Sequence, residues 1–388
     1  MPTRMYITAN EAVARAVALT RVEVVAAYPI TPQTAIVEKL AAFVDSGQLD
    51  AEYMMVESEH SAMAACIGAC AVGARAFTAT SSQGLEYMHE MLAYASGGRL
   101  PLVMANVNRS VALPWSIWGD HQDSIQQRDT GWIQLYLETA QESLDMVIQA
   151  YRIAEDPRVS CPVMLCLDGF LLSHTEEVVE IPDQAMVDSF LPPFAPQVVL
   201  DVDAPRTLGM GAFGRQYAVW RREQQEAMER AGRVIAEVGE EFARRFGRHH
   251  GGLIVAYRCE DAEAVLVTMG AITGTASDVV DALRAEGRPV GLVKVRAYRP
   301  FPRAELRAAL ASARAVAVVD RNVSFGYEGA LASDLRAALY GLPRPPTVLG
   351  FIAGLGGSDV TPEHMKHMLD VALATVTGEQ PGMEFVGL

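Results

Sequence analysis

Two carboxylates and a histidine stand together in the segment VESEHSAMAACIGACAVGA, where a predicted strand gives way to a helix. Glu57, Glu59 and His60 are candidates for ligand binding, because α/β folds hold their ligands at the carboxyl ends of strands. The two acids could equally begin a helix and interact favourably with its dipole. The helix that follows is rich in Ala and Gly, which indicates close packing against another surface, from this chain or from a second one.

Hydroxyl and amide side chains follow the next predicted strand, in TATSSQGLEYMHEM. Ser82 and Gln83 lie where hydroxyls and backbone N–H groups at a helix start can hold an anion or a cofactor. Ser82 could instead be only the N-cap of that helix. The segment repeats the strand–turn–helix arrangement of the one before it.

Arg109 follows a third predicted strand, in NRSVALPWSIWGDHQDS. Its planar guanidinium can bind both oxygens of a carboxylate, although a surface salt bridge is an equally common role for arginine. Asp120, His121 and Asp123 resemble a metal cluster at first sight. One histidine with two closely spaced aspartates is not a recognised metal pattern, so we expect structural hydrogen bonds from these residues and no metal site.

The stretch YPITPQT, Tyr28–Thr34, comes directly after the apolar run VEVVAA. Thr31 followed by Pro32 predicts a helix N-cap with proline at the first helical position, where no N–H is missed. Pro29 and Pro32 restrict the backbone, so the loop is expected to be preorganised. The stretch therefore places a hydroxyl in a stiff turn at a strand end.

Alternating apolar strands and helical patterns in the first half of the chain indicate a parallel α/β sheet flanked by helices. The candidate strands are 22–27, 52–56, 75–80, 100–107 and 163–168, and the candidate helices between them are 33–43, 58–72, 84–95 and 141–154. Each polar turn described above follows one of these strands. Parallel strands end at a common sheet edge, so the turns can converge there.

The second half of the chain predicts a separate α/β unit. A Pro-rich, irregular connection is expected over 190–213 and one long amphipathic helix over 217–248. We place the boundary near residue 255, which gives domains of residues 1–250 and 255–388. The turn MGAITGT in the second domain has the spacing G-x-x-x-G, so it favours close helix packing over dinucleotide binding.

Composition sets broad limits on function. The chain has 388 residues, 50% of them hydrophobic, and a net charge of −15, so it is globular and lacks the basic excess of a general nucleic-acid binder. Neither a signal-peptide pattern nor a long apolar run is present, so we expect no membrane association. The five cysteines include no C-x-x-C pair, which favours reduced thiols, a cytoplasmic protein and no iron–sulfur cluster in this chain.

Four segments resemble, in order and spacing, the α subunit of pyruvate:ferredoxin oxidoreductase, a thiamine-diphosphate-dependent 2-oxoacid:acceptor oxidoreductase. They are YPITP, VESEHSAMAACIGACAVGARAFTATSSQGL, NR with GDHQDS, and RDTGWIQLYLETAQESLDMVIQAYRIAEDPR. A looser similarity continues through LVTMGAITG, VGLVKVRAYRPFP and VDRNVSFGYEG. The resemblance implies a pyrimidine-binding domain for thiamine diphosphate in residues 1–250. It implies a transketolase C-terminal-like α/β domain in residues 255–388.

The resemblance also implies roles for single residues. Glu59 matches the glutamate that hydrogen-bonds the pyrimidine ring of thiamine diphosphate and so activates the cofactor, and Glu57 is the weaker candidate. Thr31 and Arg109 match the residues that hold the 2-oxoacid substrate. The remaining cofactor-lining positions are Tyr28, Pro29, Ser82 and Gln83.

The resemblance further implies that this chain supplies only half of an active site. It contains no G-D-G motif with a following Asn-bearing segment, which is the usual Mg²⁺–diphosphate motif, and no ferredoxin-like cysteine runs. A β subunit would bind the diphosphate and Mg²⁺, and γ and ferredoxin-like δ subunits would carry iron–sulfur clusters. Coenzyme A would be the co-substrate, and the electrons would pass to ferredoxin or, through a flavin subunit, to NAD.

The expected reaction is the oxidative decarboxylation of a 2-oxoacid to acyl-CoA and CO₂. Pyruvate is the first choice of substrate. Leu113, Pro114 and Trp115 depart from the small residues of the pyruvate pattern, so a branched or aromatic substrate such as 2-oxoisovalerate or phenylglyoxylate is the alternative. Two other functions stay open: a non-catalytic scaffold subunit and a transketolase-type enzyme without redox chemistry. Retention of the glutamate, threonine and arginine named above argues against the scaffold.

Overall fold

The computed structural model describes residues 3–375 and 383–387. Its elements are labelled in chain order. The strands are β1 Thr3–Thr8, β2 Val24–Ala27, β3 Glu52–Met55, β4 Ala76–Thr80, β5 Val103–Asn108, β6 Ile133–Tyr136, β7 Val163–Asp168, β8 Glu176–Ile181, β9 Ile254–Tyr257, β10 Ala264–Thr268, β11 Val290–Val295, β12 Ala297–Arg299, β13 Ala315–Asp320, β14 Thr347–Ile352 and β15 Glu384–Phe385. The α-helices are α1 Ala9–Leu19, α2 Thr34–Asp45, α3 Glu59–Ala71, α4 Ser82–Tyr87, α5 His89–Gly97, α6 Gln122–Gln126, α7 Ala140–Ala154, α8 Gln184–Phe190, α9 Arg215–Phe246, α10 Ile272–Ala285, α11 Arg303–Ala309, α12 Ala330–Leu339 and α13 Pro362–Thr375.

A seven-stranded sheet with the order β12-β6-β7-β5-β4-β2-β3 forms the first half of the molecule. All of its neighbouring strands are parallel except the edge strand β12, which is antiparallel to β6. The predicted α/β class, with a parallel sheet flanked by helices, is confirmed. The strand-forming runs are continuous rather than alternating in hydrophobicity because both faces of the sheet are covered.

The two faces of this sheet belong to different hydrophobic cores. In β2, Val25 and Ala27 pack with residues of α1, α2, α7 and α9, whereas Ala26 packs with residues of α3, α4 and α5. This division follows from the two-residue period of a strand, which turns successive side chains to opposite faces. The second of these cores continues into the C-terminal half through residues such as Val293 and Tyr298. The two halves of the chain therefore pack against each other.

A six-stranded sheet with the order β15-β14-β13-β10-β11-β9 forms the second half. Its strands are parallel except β9, which pairs antiparallel with β11. Helices α10 and α13 contribute to the apolar core on one of its faces. The long helix predicted over 217–248 is observed as α9, which begins two residues earlier and ends two residues earlier, and its C-cap residue Gly247 has a left-handed conformation. No helix in residues 3–375 is long and apolar enough to cross a membrane.

Several elements differ from the sequence-based prediction. The single helix expected over 84–95 is two helices, α4 and α5, that meet at Met88. Strand β6 and the antiparallel pair of β1 and β8 were not predicted. Strand β12 comes from the C-terminal half of the sequence yet belongs to the first sheet. These elements are short and depend on partners far away in the sequence, so local patterns do not specify them.

Candidate active site

The polar turns predicted from the sequence lie at one edge of the seven-stranded sheet. Strands β5, β4, β2 and β3 are parallel neighbours in that order, so their carboxyl ends share this edge. Tyr28–Thr31 follows β2, Glu59 follows β3, Ser82 follows β4 and Arg109 follows β5. Open α/β sheets hold their ligands at this edge. We call it the active-site edge.

Glu59 is the first residue of α3 and follows the N-cap residue Ser58, whose Oγ accepts a hydrogen bond from Ser61 N at 3.3 Å. The Glu59 residue is only 7% exposed. No group in the part of the chain that the structure describes donates a hydrogen bond to its carboxylate. A buried carboxylate without a donor is unfavourable, so Glu59 is suited to a ligand that supplies one.

Gly84 in α4 makes room for this carboxylate. A methyl group at position 84 would lie 2.6 Å from Glu59 Oε1 and 2.5 Å from Thr80 Oγ1. The Thr80 hydroxyl is itself buried and has no hydrogen-bond partner among residues 3–375 and 383–387. Glu59, Thr80 and the bare backbone of Gly84 therefore form a polar recess at the active-site edge, which we call the Glu59 recess.

Glu57 and His60 have different surroundings. Glu57 is exposed, and its carboxylate accepts a hydrogen bond from Ser61 Oγ in the first turn of α3. His60 Nε2 lies 3.5 Å from a carboxylate oxygen of Glu90, and its ring contacts that of Tyr87. Of the three candidates in this segment, only Glu59 is buried.

Arg109 is a buried cation, 6% exposed, without a salt-bridge partner among the described residues. Its Nη1 donates to Thr31 O at 2.9 Å and its Nε to Ser116 O at 3.3 Å, while Nη2 donates to no described atom. Burial lowers the pKa of Arg109 below its ordinary value, and the negative charge of Asp123 opposes this shift. Arginine is effectively always protonated in proteins, so the guanidinium stays charged at neutral pH. A buried cation with a free N–H edge can bind a carboxylate.

Thr31 is exposed, and its hydroxyl makes no hydrogen bond within residues 3–375. The predicted role of Thr31 as a helix N-cap is wrong. Helix α2 begins at Thr34, its N-cap residue is Gln33, and no side chain makes a capping hydrogen bond there. The reason is that Pro32 and Gln33 belong to a turn ahead of the helix, in which Gln33 N donates to Ile30 O at 2.9 Å. The Thr31 hydroxyl is thereby left free for a ligand.

Ser82 begins α4 with a left-handed backbone, φ +50°, which is uncommon for a residue other than glycine. Its N–H donates to Asp123 Oδ2 at 2.9 Å and its hydroxyl to Ser110 O at 2.5 Å. The alternative that Ser82 is the N-cap is wrong, because that position is occupied by Ser81. Gln83 is half-buried, and its amide Nε2 has no partner among the described residues.

Tyr28 and Pro29 are exposed at the start of the turn that contains Thr31. Tyr28 O accepts a hydrogen bond from Gln33 Nε2 at 2.8 Å, and Pro32 O accepts one from Asn10 Nδ2 at 2.8 Å. Gln33 and Asn10 are buried, so they fasten the turn from within. Tyr28 and Pro29 consequently lie on the exposed side of the turn.

Asp120, His121 and Asp123 make hydrogen bonds to separate parts of the molecule. Asp120 Oδ2 accepts from Ser110 Oγ at 2.6 Å, and His121 Nε2 lies 2.9 Å from Asp168 Oδ1. No group of three or more His, Cys, Asp or Glu side chains is placed to hold a metal ion in the described part of the chain. The contact of Asp123 with two turns of the active-site edge was missed, since the sequence gives only an acidic residue in a loop after a strand.

The C-terminal half of the chain reaches this edge through Asp168, the last residue of β7. Its buried carboxylate accepts hydrogen bonds from Arg321 and from Ala271 N, the latter at 2.6 Å. Burial alone would raise the pKa of Asp168, but the charges of Arg321 and His121 hold it well below its usual range. Gly270 leaves the room for this contact, because a methyl group there would overlap Asp168 Oδ2. The glycine-rich turn thus has a packing role.

Two family models match the sequence. The first, described as "Pyruvate flavodoxin/ferredoxin oxidoreductase, thiamine diP-bdg", matches residues 15–240. The second, described as "Pyruvate:ferredoxin oxidoreductase core domain II", matches residues 262–365. The first match includes all of the turns at the active-site edge.

Individual relatives cover almost the whole chain. Pyruvate synthase subunit PorA of Methanothermobacter thermautotrophicus is 52% identical over 363 residues, which is 94% of each chain. Ketoisovalerate oxidoreductase subunit VorA of Pyrococcus horikoshii is 50% identical over 366 residues, 94% of this chain and 92% of that one. A solved 2-oxoglutarate:ferredoxin oxidoreductase from Magnetococcus marinus shares the fold, with a TM-score of 0.71 at 20% identity over 94% of this chain. The match spans 65% of that solved chain.

Proposed function

Because the chain belongs to the pyruvate flavodoxin/ferredoxin oxidoreductase family, we propose that it is the α subunit of a CoA-acylating 2-oxoacid:acceptor oxidoreductase. The complex would decarboxylate a 2-oxoacid oxidatively to acyl-CoA and CO₂. The carrying observation is that the active-site edge holds two buried, unpaired groups of opposite charge, Glu59 and Arg109. A non-catalytic scaffold would gain nothing from leaving both without partners.

The Glu59 recess fits the pyrimidine ring of thiamine diphosphate. The Glu59 carboxyl group has no donor within the described residues, the Thr80 hydroxyl is unsatisfied, and Gly84 lets the Glu59 side chain lie against α4, where a methyl group would clash with it. When bound, thiamine diphosphate supplies the nucleophilic carbon that attacks the 2-oxoacid and allows CO₂ to leave. The proposed role of Glu59 is to accept a hydrogen bond from a protonated ring nitrogen of the pyrimidine and to exchange that proton with it, as a general acid–base group. Ser82, Gln83, Tyr28 and Pro29 are proposed to line the same site.

Arg109 and Thr31 are proposed to hold the substrate. The free Nη2 of Arg109 can donate to the carboxylate of a 2-oxoacid, while Nη1 and Nε remain fixed to backbone carbonyls. This fixed orientation lowers the entropy cost of binding in the reactive position. Thr31 lies in contact with Arg109 through its carbonyl, and its hydroxyl is free for a second substrate oxygen.

The rest of the active site is proposed to come from other subunits. A β subunit would bind the diphosphate with Mg²⁺, γ and δ subunits would carry the iron–sulfur clusters, and coenzyme A would accept the acyl group. Apolar surface near the active-site edge supports such an interface: Met55 is 80% exposed, Trp115 is 72% exposed, and Ala64 and Gly68 on α3 face outward. Electrons would leave to ferredoxin or to a flavin subunit that reduces NAD. All five cysteines are free thiols, which supports a cytoplasmic location.

Pyruvate is the proposed substrate, and 2-oxoisovalerate is the second candidate. The relatives named for these two substrates are almost equally similar, at 52% and 50% identity. Leu113 and Trp115 are exposed in this chain, so they can line a substrate pocket only together with a second chain. Their bulk is the observation that favours the second candidate.

We also propose a domain boundary near residue 255, between residues 1–250 and 255–388. Strands β9, β10, β11, β13, β14 and β15 of the second sheet all come from residues 254–385. Strand β12 crosses back to the first sheet, so the proposed domains share an interface.

The function is tested on the native complex, purified by copurification with its partner subunits. Reduction of a viologen dye is measured with pyruvate, 2-oxoisovalerate, phenylglyoxylate and 2-oxoglutarate, with and without CoA and thiamine diphosphate. We expect fast, CoA-dependent reduction with pyruvate. Fast reduction with only a branched or aromatic 2-oxoacid would overturn the substrate, and no reduction with any of them would overturn the function.

A further inference from the structure

Asp123 on α6 is a fully buried carboxylate at the active-site edge. Both of its oxygens accept hydrogen bonds, at distances from 2.7 to 3.1 Å. The donors are the side-chain amides of Asn106 and Asn108 and the backbone N–H groups of Ser82, Arg109 and Ser124. The carboxylate is thus enclosed by donors from three separate segments of the chain.

Two of these donors belong to residues with proposed roles in the reaction. Ser82 N, after β4 on the cofactor side, and Arg109 N, after β5 on the substrate side, both donate to Oδ2, at 2.9 and 3.1 Å. One oxygen atom therefore ties together two strand ends. A second tie joins the same turns, since the Ser82 hydroxyl donates to Ser110 O at 2.5 Å.

The hydrogen bond from Ser82 N to Asp123 matters because the backbone of Ser82 has an unfavourable conformation. Its left-handed φ of +50° is costly for a non-glycine residue and persists only where its surroundings hold it. The bond from Ser82 N to Asp123 is such a restraint. Its loss would free the start of α4, the helix whose Gly84 forms one wall of the Glu59 recess.

The charge of Asp123 suits this arrangement. Burial raises the pKa of Asp123, and the hydrogen bonds from Ser82, Arg109, Asn106 and Asn108 oppose that rise. All of these donors point at the carboxylate, and only the ionised form accepts at every position. A neutral side chain of the same shape would leave some of them unpaired.

We propose that Asp123 is a positioning residue that fixes Arg109 and the Ser82 turn as one unit, so that the 2-oxoacid and the cofactor are held in a set relative placement. This inference rests on the proposed function and extends it, because Asp123 acts through Arg109 and Ser82. Its loss should weaken binding of substrate and cofactor together. A purely structural role would lower stability and leave both affinities unchanged.

The test compares wild-type and Asp123→Asn complexes. Asparagine keeps the shape of the side chain but turns an amide NH₂ toward N–H donors. We expect the KM for the 2-oxoacid and the Kd for thiamine diphosphate each to rise about tenfold, the effect of losing one hydrogen bond to a charged group. Unchanged values of both constants would overturn the inference.

A double-mutant cycle separates positioning from general damage. Arg109→Lys keeps the charge and loses the planar fork, so it should raise the KM for the 2-oxoacid by itself. If Asp123 acts through Arg109, adding Asp123→Asn to Arg109→Lys should raise that KM by much less than tenfold. A full, multiplicative effect of the second substitution would contradict the proposal.

Asp145→Asn is the matched control. Asp145 on α7 is also fully buried, and it accepts hydrogen bonds from the side chains of Arg248 and Gln141. Neither partner belongs to the turns of the active-site edge, so we expect its substitution to lower the melting temperature and leave KM and Kd unchanged. An equal rise of both constants in this control would show that the Asp123 effect is not specific.

A second variant covers failure of the first to assemble. Asp123→Glu keeps the charge and displaces the carboxylate, so it should raise KM and Kd together, and unchanged constants would again overturn the inference.

The wild-type complex distinguishes the two proposals. If wild type shows no thiamine-diphosphate-dependent oxidation of any 2-oxoacid, the proposed function fails; if wild type is active and Asp123→Asn is unaffected, only the role of Asp123 fails.

Discussion

The charged side chains of Glu59 and Arg109 are both buried at the active-site edge, and each leaves a different kind of hydrogen-bonding group unused. Glu59 lies in a recess where it can receive a donor, and Arg109 keeps one nitrogen free to donate. The sequence predicts both residues from their place after strands and from a family resemblance. It does not predict that Arg109 is held by the Thr31 carbonyl, because that contact depends on the path of a turn and not on residue type. For the same reason the sequence wrongly predicts Thr31 as the N-cap of α2.

Substitution of Thr31 tests its proposed contact with substrate. Thr31→Ala should lower turnover about tenfold or more while the melting temperature of the complex changes little, because the hydroxyl makes no hydrogen bond within the described residues and is exposed. Thr31→Ser retains the hydroxyl and is the control, with turnover close to wild type. Steady-state kinetics and thermal unfolding measure both. Equal losses in the two variants would contradict a role for the hydroxyl.

Helices and strands divide into those that local pattern specifies and those that it does not. The parallel strands β2, β3, β4, β5 and β7 are apolar runs bounded by turn residues, and the sequence places each to within a few positions. The break between α4 and α5 is not visible in the pattern, although it ends α4 at Tyr87. Strand β12 pairs with β6, although Ala297 and its partner Leu135 lie far apart in the sequence. Such pairing is a tertiary property.

The Glu59 recess makes Gly84 a testable part of α4. Gly84→Ala would normally favour a helix by about 0.5–1 kcal/mol, but here the methyl group would lie 2.6 Å from the Glu59 carboxylate. We expect the Kd for thiamine diphosphate to rise about tenfold or more, measured by fluorescence titration or calorimetry on the complex. Gly97→Ala in α5 is the control, since a methyl group there meets no atom within 4 Å. An unchanged Kd in Gly84→Ala would rule out the recess as the pyrimidine site.

At the scale of the whole molecule, the C-terminal half of the chain stabilises the active-site edge through contacts of Arg321. Arg321 donates to Asp168 and, through Nη2, to Gly119 O at 2.8 Å, and its own carbonyl accepts from His121 N at 2.7 Å. The loop between Arg109 and the start of α6 is therefore fixed by Arg321, about 200 positions away in the sequence from its partners Gly119 and His121. No local pattern in the sequence predicts this contact.

Removal of the Arg321 side chain should destabilise the protein, and the size of the effect should depend on pH. Arg321→Met leaves Asp168 buried with one cation fewer, and the free energy of unfolding should fall by about 3–5 kcal/mol at neutral pH. The folded pKa of Asp168 lies below its usual value, so this ion pair stabilises the fold above the unfolded pKa of about 3.9 and the stabilisation is lost as the pH falls through the folded pKa. The difference in the free energy of unfolding between wild type and Arg321→Met should therefore become smaller as the pH falls below about 3.9.

Urea unfolding of the complex between pH 7 and pH 2 measures this difference, which should stay constant down to about pH 4 and shrink below it. Arg314→Met is the control, because Arg314 is exposed and its only close carboxylate among the described residues, that of Glu263, lies 3.9 Å away. Its effect should be small at every pH. A loss in Arg321→Met that is constant across the pH range would contradict the role of the Asp168 ion pair.

The central claim is that this chain contributes the carboxyl group that activates thiamine diphosphate, and Glu59→Gln tests it most directly. The variant complex, saturated with cofactor and 2-oxoacid, should assemble as wild type does and turn over at least about 100-fold more slowly, which is the loss expected for a general acid–base group. The neighbouring Glu57→Gln, an exposed carboxylate in the same turn, should keep nearly full activity. Full turnover in Glu59→Gln, or an equal loss in Glu57→Gln, would contradict the assignment.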